Sequence, residues 1–208
     1  MCSLSLAGTW WRQPVPKKTT ASPSPTSSGW SSAAPGASGR AFVSESALDF
    51  LLLEATRRYL DKGEAGRRAL HRMGFQVGAQ LAERHTKDRA RFADSTEVVL
   101  FVCKEFWPAA FGKRVDSLKT NNKGTFVLTD NAFRWTRHVA AVGPSADAGE
   151  SARRAVAAEH ARVPAGMLTG FLATLGYPAE VEADAKNAPA VVFTVRLQGG
   201  AGATTTSR

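Results

Sequence analysis

The residues of this chain that could bind a metal ion are four histidines and two cysteines, and their spacing decides what they can do. The histidines are His71, His85, His138 and His160. A zinc site on a helix needs two ligands three or four positions apart with a third close by. None of the histidines belongs to such a set of three ligands, so the sequence predicts no metal site. It places the four side chains at the surface or at its rim.

The sequence places no catalytic partner beside either of the two thiols. Cys103 lies in an apolar stretch with phenylalanines around it and with no histidine to activate it, which predicts a buried structural thiol. Cys2 is about a hundred positions away, so the pair indicates no disulfide framework, and a reducing compartment is expected.

The remaining candidates for catalysis are acids and phosphate-binding loops. Glu105, Asp116 and Asp130 could be imagined as paired acids, but Asp130 is explained by a turn and the other two by solvent-facing positions. The chain contains no G-x-S-x-G elbow and no Walker lysine. The sequence therefore predicts no catalytic residue, no cofactor and no enzyme.

The distribution of charge does not predict a nucleic-acid-binding protein. The formal net charge is +9, but Arg12, Lys17, Lys18 and Arg40 lie in an acid-free N-terminal segment, and elsewhere most basic residues are interleaved with acids. No basic stretch alternates with aromatic residues as a groove for single-stranded nucleic acid would. Nucleic acid is therefore not expected as a partner.

Composition divides the chain into three parts. Residues 1–41 are rich in Ser, Pro and Gly, contain no acid, and predict a disordered extension, although a transit peptide remains an alternative. Residues 42–198 predict one domain, and residues 199–208 a flexible tail. The longest apolar run, Val98 to Cys103, is far too short to span a bilayer.

The first half of the domain shows helical periodicity. A capping box at Ser46 and Asp49 predicts the first helix, and a second carries Gly74 and Gly78 one turn apart on its apolar face. Glycine inside a helix costs about 1 kcal/mol relative to alanine, so this pair predicts that another backbone packs close by. A third helix is expected from Asp94, with Pro108 kinking or resetting it.

The second half predicts a sheet. Alternating residues indicate strands at Arg114–Leu118, Thr125–Thr129 and Phe133–Val139, with Gly124 in the first turn. A short or frayed helix over Ser151–Arg162 and a better one starting at Pro164 follow. Two final strands lie at 181–185 and 190–197. This pattern predicts an α+β fold with helices packed on an antiparallel sheet.

Four motifs in order carry a resemblance to a known family: MGFQVGAQLAER, RFADSTEVVLFVCKEFW, VDSLKTNNKGTFVLTDNAFRW and VPAGMLTGFLATLGYPAEVEAD. From Ser44 to Leu197 the chain resembles the small subunits of the TRAPP (transport protein particle) tethering complex, in the subunit 6 branch. The resemblance implies a non-catalytic scaffold that forms a heterodimer with another small subunit. It further implies indirect contact with a Rab GTPase whose nucleotide exchange the complex promotes, peripheral association with ER and Golgi membranes, and a cytoplasmic location.

The interface of such a dimer is expected on the first two helices, whose apolar faces exceed what a small sheet needs. Burying such a face yields roughly 25 cal/mol per Å² before association costs. The same residues could instead form the domain's own core. The candidate interface residues are Leu48, Leu51, Leu52, Ala55, Met73, Gly74, Val77, Gly78 and Leu81.

The sequence leaves two alternatives to a scaffold open. A small-molecule sensor of similar fold would enclose an apolar ligand, and an organellar protein would use residues 1–41 as its targeting signal. A related branch of the family carries an acylated cysteine before the third helix, where this chain has Ala90-Arg91-Phe92, so lipid attachment is not expected.

Overall fold

The computed structural model of the protein describes residues 44–198, apart from residues 90, 122, 141 and 142. The predicted extension over 1–41 and the predicted tail over 199–208 lie outside this range, as do Cys2 and Ala90. Within the described part the chain forms six α-helices and four strands: α1 Glu45–Leu60, α2 Gly63–Thr86, α3 Ser95–Phe101, α4 Trp107–Phe111, β1 Ser117–Thr120, β2 Thr125–Asp130, α5 Ala146–His160, α6 Arg162–Thr174, β3 Ala179–Asp184 and β4 Val191–Leu197.

The strands form one antiparallel sheet in the order β1-β2-β4-β3, with the helices packed on it. The predicted α+β class is therefore confirmed. Gly124, with a φ of 81°, closes the β1–β2 hairpin as the turn pattern predicted. On β2 and β4 buried and half-buried residues alternate, and Phe126, Leu128, Phe193 and Val195 supply the core face.

One predicted strand is absent. Residues Phe133 to Val139 form a turn with a 3-10 helix at Arg134–Thr136, so the described sheet has four strands and not five. Phe133 and Trp135 are both buried, which produces a period of two without a strand. The segment is held by Pro189, whose carbonyl oxygen accepts from Phe133 N at 3.0 Å and from the Thr136 hydroxyl at 2.8 Å.

The two predicted helix caps had different outcomes. Asp94 caps α3 as expected, since its carboxylate accepts from Glu97 N at 2.7 Å. The capping box at Ser46 is wrong, because α1 begins at Glu45 and its N-cap, Ser44, makes no side-chain cap bond. Asp49 instead binds an arginine distant in sequence.

Pro108 resets the third helix without ending it. A π-helical segment, Val102–Phe106, joins α3 to α4, and Trp107 N donates to Val102 O, five residues back. Because proline has no N–H, Pro108 cannot donate the bond to the fourth preceding residue that a regular α-helix needs, and the wider π-helical turn lies directly before it. The continuous helix then ends at Gly112 in the left-handed conformation.

Helices α2 and α6 approach each other through four glycines, two on each helix. A Cβ placed on Gly74 would lie 2.1 Å from Val163 O, and one on Gly78 would lie 1.9 Å from Met167 O. The contact is reciprocal, since a Cβ on Gly166 or Gly170 would lie 2.1 Å or 2.0 Å from a carbonyl oxygen of α2. The predicted close backbone is therefore present, and it belongs to this chain.

A buried carboxylate ties the end of β2 to the helices. Asp130 is fully buried and accepts from Trp107 Nε1 at 3.1 Å, from Lys113 Nζ at 2.7 Å and from Ala132 N at 3.1 Å. Lys113 also donates to Asp116 at 2.7 Å. The turn predicted at Asp130 is present, and the carboxylate has a larger structural part than the turn alone required.

Candidate interaction surface

Helix α1 exposes large apolar side chains to solvent. Leu48, Phe50 and Leu51 are 42%, 70% and 65% exposed. Leu52 is half-buried and packs against the core, and Ala55 is half-buried. Of the four candidate interface residues predicted on this helix, Leu48 and Leu51 are thus free to contact a partner, while the other two are partly used by the domain itself.

The polar anchor of α1 is an arginine from the segment after β2. Arg134 donates from Nε to Asp49 Oδ1 at 3.0 Å and from Nη2 to Asp49 Oδ2 at 3.2 Å, and Nη2 also reaches Glu45 O at 3.1 Å. Both side chains of the Arg134–Asp49 pair are more than four-fifths buried. A paired, bidentate contact of this kind fixes orientation, so Arg134 sets how α1 presents its apolar residues.

Helix α2 contributes less exposed surface than the sequence suggested. Val77 is 41% exposed, whereas Met73 and Leu81 are half-buried and pack against the core. Phe75 is 36% exposed. Successive helical residues turn by about 100°, so Phe75 and Val77 point to nearly opposite sides of α2.

Gly74 and Gly78 are buried in the crossing with α6 and do not face solvent. Their assignment to an intermolecular interface is therefore corrected: the same absence of a side chain serves an internal contact. The sequence contains a signal for the partner helix, because Gly166 and Gly170 have the same four-residue spacing. Phe50 was also missed, since it lies off the stripe formed by Leu48, Leu51, Leu52 and Ala55.

We define the apolar surface as Leu48 and Leu51 of α1 together with Val77 of α2. Phe50, two positions from Leu48, points to nearly the opposite side of α1 and is not part of it. Among the described residues, six large hydrophobic side chains are exposed, and the remaining three are Phe50, Phe75 and Val156. Isolated exposed apolar residues are common, but two leucines on one face of a helix, with a valine on the next helix, form a candidate interaction site.

Burial shifts the pKa values of the titratable side chains near the core toward their uncharged forms. Burial raises the pKa of the Cys103 thiol to about 12, so it is protonated at neutral pH. His160 is 7% exposed, so the expectation that all four histidines lie at the surface or its rim is wrong for this one. Burial lowers the pKa of His160, and burial together with the charge of Arg162 lowers that of His71. Within residues 44–198, as far as they are described, no group of three or more His, Cys, Asp or Glu could hold a metal ion.

Aromatic side chains fill the interior between helices and sheet. The rings of Phe106 and Phe171 lie 4.4 Å apart, and Trp107 contacts Phe193 at 5.2 Å between centroids. Phe92, from the segment before α3, packs on Phe101 at 5.1 Å. These contacts join the helices to the sheet through the aromatic core.

No helix in the described part of the chain combines the length and the apolar character that a bilayer crossing requires.

The fold, with helices packed on a four-stranded antiparallel sheet, defines the class of protein as a small α+β domain. The profile of the family "Transport protein particle (TRAPP) component" matches residues 48–198. The chain belongs to this family, and its relatives place it in the subunit 6 branch.

Among those relatives is trafficking protein particle complex subunit 6B from Homo sapiens. It is 37% identical over 129 residues, which cover 62% of this chain and 77% of that protein. Subunit 6A from Bos taurus is 35% identical over 142 residues, covering 66% and 84%. An uncharacterized protein from Schizosaccharomyces pombe is 36% identical over 169 residues, covering 74% of this chain and only 64% of that protein's length.

A solved structure shares the fold at low sequence identity. Trafficking protein particle complex subunit 3 from Naegleria fowleri, which is covalently bound to palmitic acid, superposes with a TM-score of 0.60 at 13% identity. The match covers 74% of this chain and 95% of that one.

Proposed function

We propose that this chain is a non-catalytic scaffold subunit of the TRAPP vesicle-tethering complex. It forms a heterodimer with another small subunit of the family through the apolar surface of α1 and α2. The assembled complex then supports Rab GTPase nucleotide exchange in ER-to-Golgi and Golgi transport. Family membership supports the complex, and the apolar surface is the observation that carries the heterodimer.

The exposed leucines of this surface supply part of the free energy that a stable contact needs. Full burial of a Leu or Phe side chain stabilises by about 1.5–3 kcal/mol. Scaled to the fractions of Leu48 and Leu51 that remain exposed, covering these two side chains yields about 2–3 kcal/mol before association costs. They would form the apolar centre of a larger interface with a polar rim.

The arrangement of α1 supports the same proposal. The helix is held at one edge by Arg134 and by half-buried residues such as Leu52 and Tyr59, while its other side faces solvent. A second subunit placed on that side would bury the exposed leucines and complete the packing of the helix.

Co-purification of the full chain with each of the other TRAPP small subunits tests the heterodimer. The double variant L48E/L51E should abolish the pair, because it places two carboxylates in a desolvated contact. V156E is the matched control, since Val156 on α5 is 41% exposed, almost the same as Leu48, but lies on another helix. The proposal fails if the chain stays a monodisperse monomer with every small subunit, or if L48E/L51E pairs like the wild type.

The scaffold role has its own test. Release of labelled GDP from the Rab substrate is measured with the reconstituted complex, with and without this chain. We expect exchange to need the assembled complex and to be absent with the chain alone. Exchange by the isolated chain would contradict the non-catalytic assignment.

The location follows from the role, at the cytoplasmic side of ER and Golgi membranes through the complex. A fluorescent fusion with and without residues 1–41 should give the same membrane-associated pattern. A switch from an organelle interior to the cytoplasm on removal of the segment would favour the transit-peptide alternative.

A further inference from the structure

A second surface, away from the apolar one, collects arginines around a groove between α2 and α6. We call it the basic groove and define it by Arg67, Arg68, His71, Arg72, Phe75 and Arg162, with Glu64 at its edge. Its volume is about 440 Å³. Phe75 points away from Val77 around α2, so the groove and the apolar surface lie on different sides of the helix.

Two of the arginines are held in place by one carboxylate. Glu159 accepts from Arg67 Nε at 2.9 Å and from Arg162 Nε at 2.6 Å, and its side chain is only 16% exposed. Each arginine uses its Nε here, and Arg67 Nη1 also lies 3.6 Å from Glu64 Oε2, so the remaining guanidinium nitrogens are those left for a ligand. The groove wall is thus positioned by a partly buried ion-pair network.

The other two arginines carry charge that the described residues scarcely neutralise. Arg68 reaches Glu64 only at 4.0 Å, and Arg72 forms no ion pair with any described residue. Arg68 and Arg72 lie one turn apart, where like charges repel and destabilise the helix. Four guanidinium groups against Glu64 and Glu159 leave an excess of positive charge, and the pKa of His71 is lowered first by burial and then by the charge of Arg162.

The lining of the site indicates which ligand it fits. A guanidinium recognises a carboxylate or phosphate with paired hydrogen bonds. The groove is open to solvent and the Phe75 ring forms part of its wall beside the arginines, so a polypeptide segment can place an apolar side chain on the ring and carboxylates on the guanidinium groups.

We propose that the basic groove is a docking site for an acidic protein segment that carries an apolar residue beside at least two carboxylates. The carboxylates pair with Arg68 and Arg72, and the apolar residue packs on Phe75. This contact does not use α1, so it can coexist with the heterodimer of the proposed function and give the chain a second partner.

The test uses the full chain and a fluorescently labelled short peptide that contains Glu pairs and one Phe, followed by fluorescence anisotropy. We expect R68A and R72A each to weaken binding about fivefold, at the upper end for exposed ion pairs, and added salt to weaken it further. R84A is the matched control, because Arg84 is exposed on the same helix outside the groove. A peptide with Gln in place of Glu should not bind, and F75A should weaken binding without changing its salt dependence.

Several results would overturn the proposal. Equal loss in R84A and R72A would reduce the effect to net charge, and equal binding of the Gln peptide would remove the carboxylates from it. Vesicles of phosphatidylcholine and phosphatidylserine provide the competing case: vesicle binding that is lost in R68A/R72A, without peptide binding, would make the groove a membrane contact. Because L48E/L51E leaves the groove intact, it should bind the peptide normally, which separates failure here from failure of the heterodimer.

Discussion

Replacing Gly78 by alanine tests the α2–α6 crossing most directly. The new Cβ would lie 1.9 Å from Met167 O, where ordinary contact begins near 3.4 Å, so the helices must part by about 1.5 Å. The obstructing atom is backbone and cannot rotate away. Overpacking of this kind costs about 1–3 kcal/mol, and occasionally more.

An opposing term makes the sign of the effect informative. Alanine is favoured over glycine inside a helix by about 0.5–1 kcal/mol. Since the clash is severe and lies on the most closely packed pair of helices, we expect G78A to destabilise the domain by about 2 kcal/mol net. For a domain of this size that corresponds to a Tm lowered by about 4–8 °C.

Urea unfolding of the full chain, followed by circular dichroism, measures the change. The control is an exposed position of the same helix, Gln76, where the Q76A variant should be more stable than Q76G by about 1 kcal/mol. The double variant G78A/G170A should cost less than the sum of its single changes, because the first alanine already separates the helices. If G78A is as stable as the wild type, or more stable, the crossing is not as close as described and the reasoning is refuted.

The remaining predictions concern the buried charge, the α1 anchor and the thiol. D130A should destabilise the domain by about 3 kcal/mol, since it leaves Trp107 Nε1 and Lys113 without their buried acceptor. The control is D184A, which removes an exposed carboxylate paired only with Lys186. If the two variants lower the free energy of unfolding in urea equally, the burial of Asp130 does not explain the effect. A double-mutant cycle on Arg134 and Asp49 should give a coupling free energy of about 1–2 kcal/mol. R134A should raise the rate of hydrogen exchange in α1 but not in α6. If the exchange rate of α1 is unchanged, Leu52 and Tyr59 suffice to hold the helix. In a C2S variant, Cys103 should resist thiol reagents at pH 8 and react once urea unfolds the chain, and fast modification of the native state would show that the thiol is not protected. Because burial raises the folded-state pKa of this thiol from 9.0 to about 12, its contribution to stability is fully present below about pH 9 and is lost as the pH rises to about 12. The free energy of unfolding, measured against pH, should therefore fall more steeply above pH 9 in C2S, which keeps Cys103, than in C103A.

Local patterns predicted those parts of the fold in which a residue's neighbours along the chain determine its conformation. The helical stripe of α2, the Asp94 cap and the hairpin glycine Gly124 were all correct, because each depends on residues within a few positions. The alternating pattern at Phe133–Val139 gave a wrong prediction of a strand. There the alternating burial arises from a 3-10 turn held by Pro189, more than fifty residues away in sequence.

The candidate site shows the same division. Apolar periodicity found Leu48 and Leu51 but could not separate them from Leu52, which the domain uses itself. Nor could it find the basic groove, because Arg72 and Arg162 are ninety residues apart in sequence and become neighbours only when α6 crosses α2.

The sequence alone determined the fold class, the family and the requirement for a close backbone at Gly74 and Gly78. These follow from helical and strand periods, turn residues and motifs that are contiguous in the chain. Only the tertiary structure decided that α6 meets those glycines, that Arg134 anchors α1, and which apolar residues remain exposed. The physical reason is that a missing side chain or an apolar stripe specifies the kind of contact it needs, whereas the partner is selected by packing between segments that are distant in sequence.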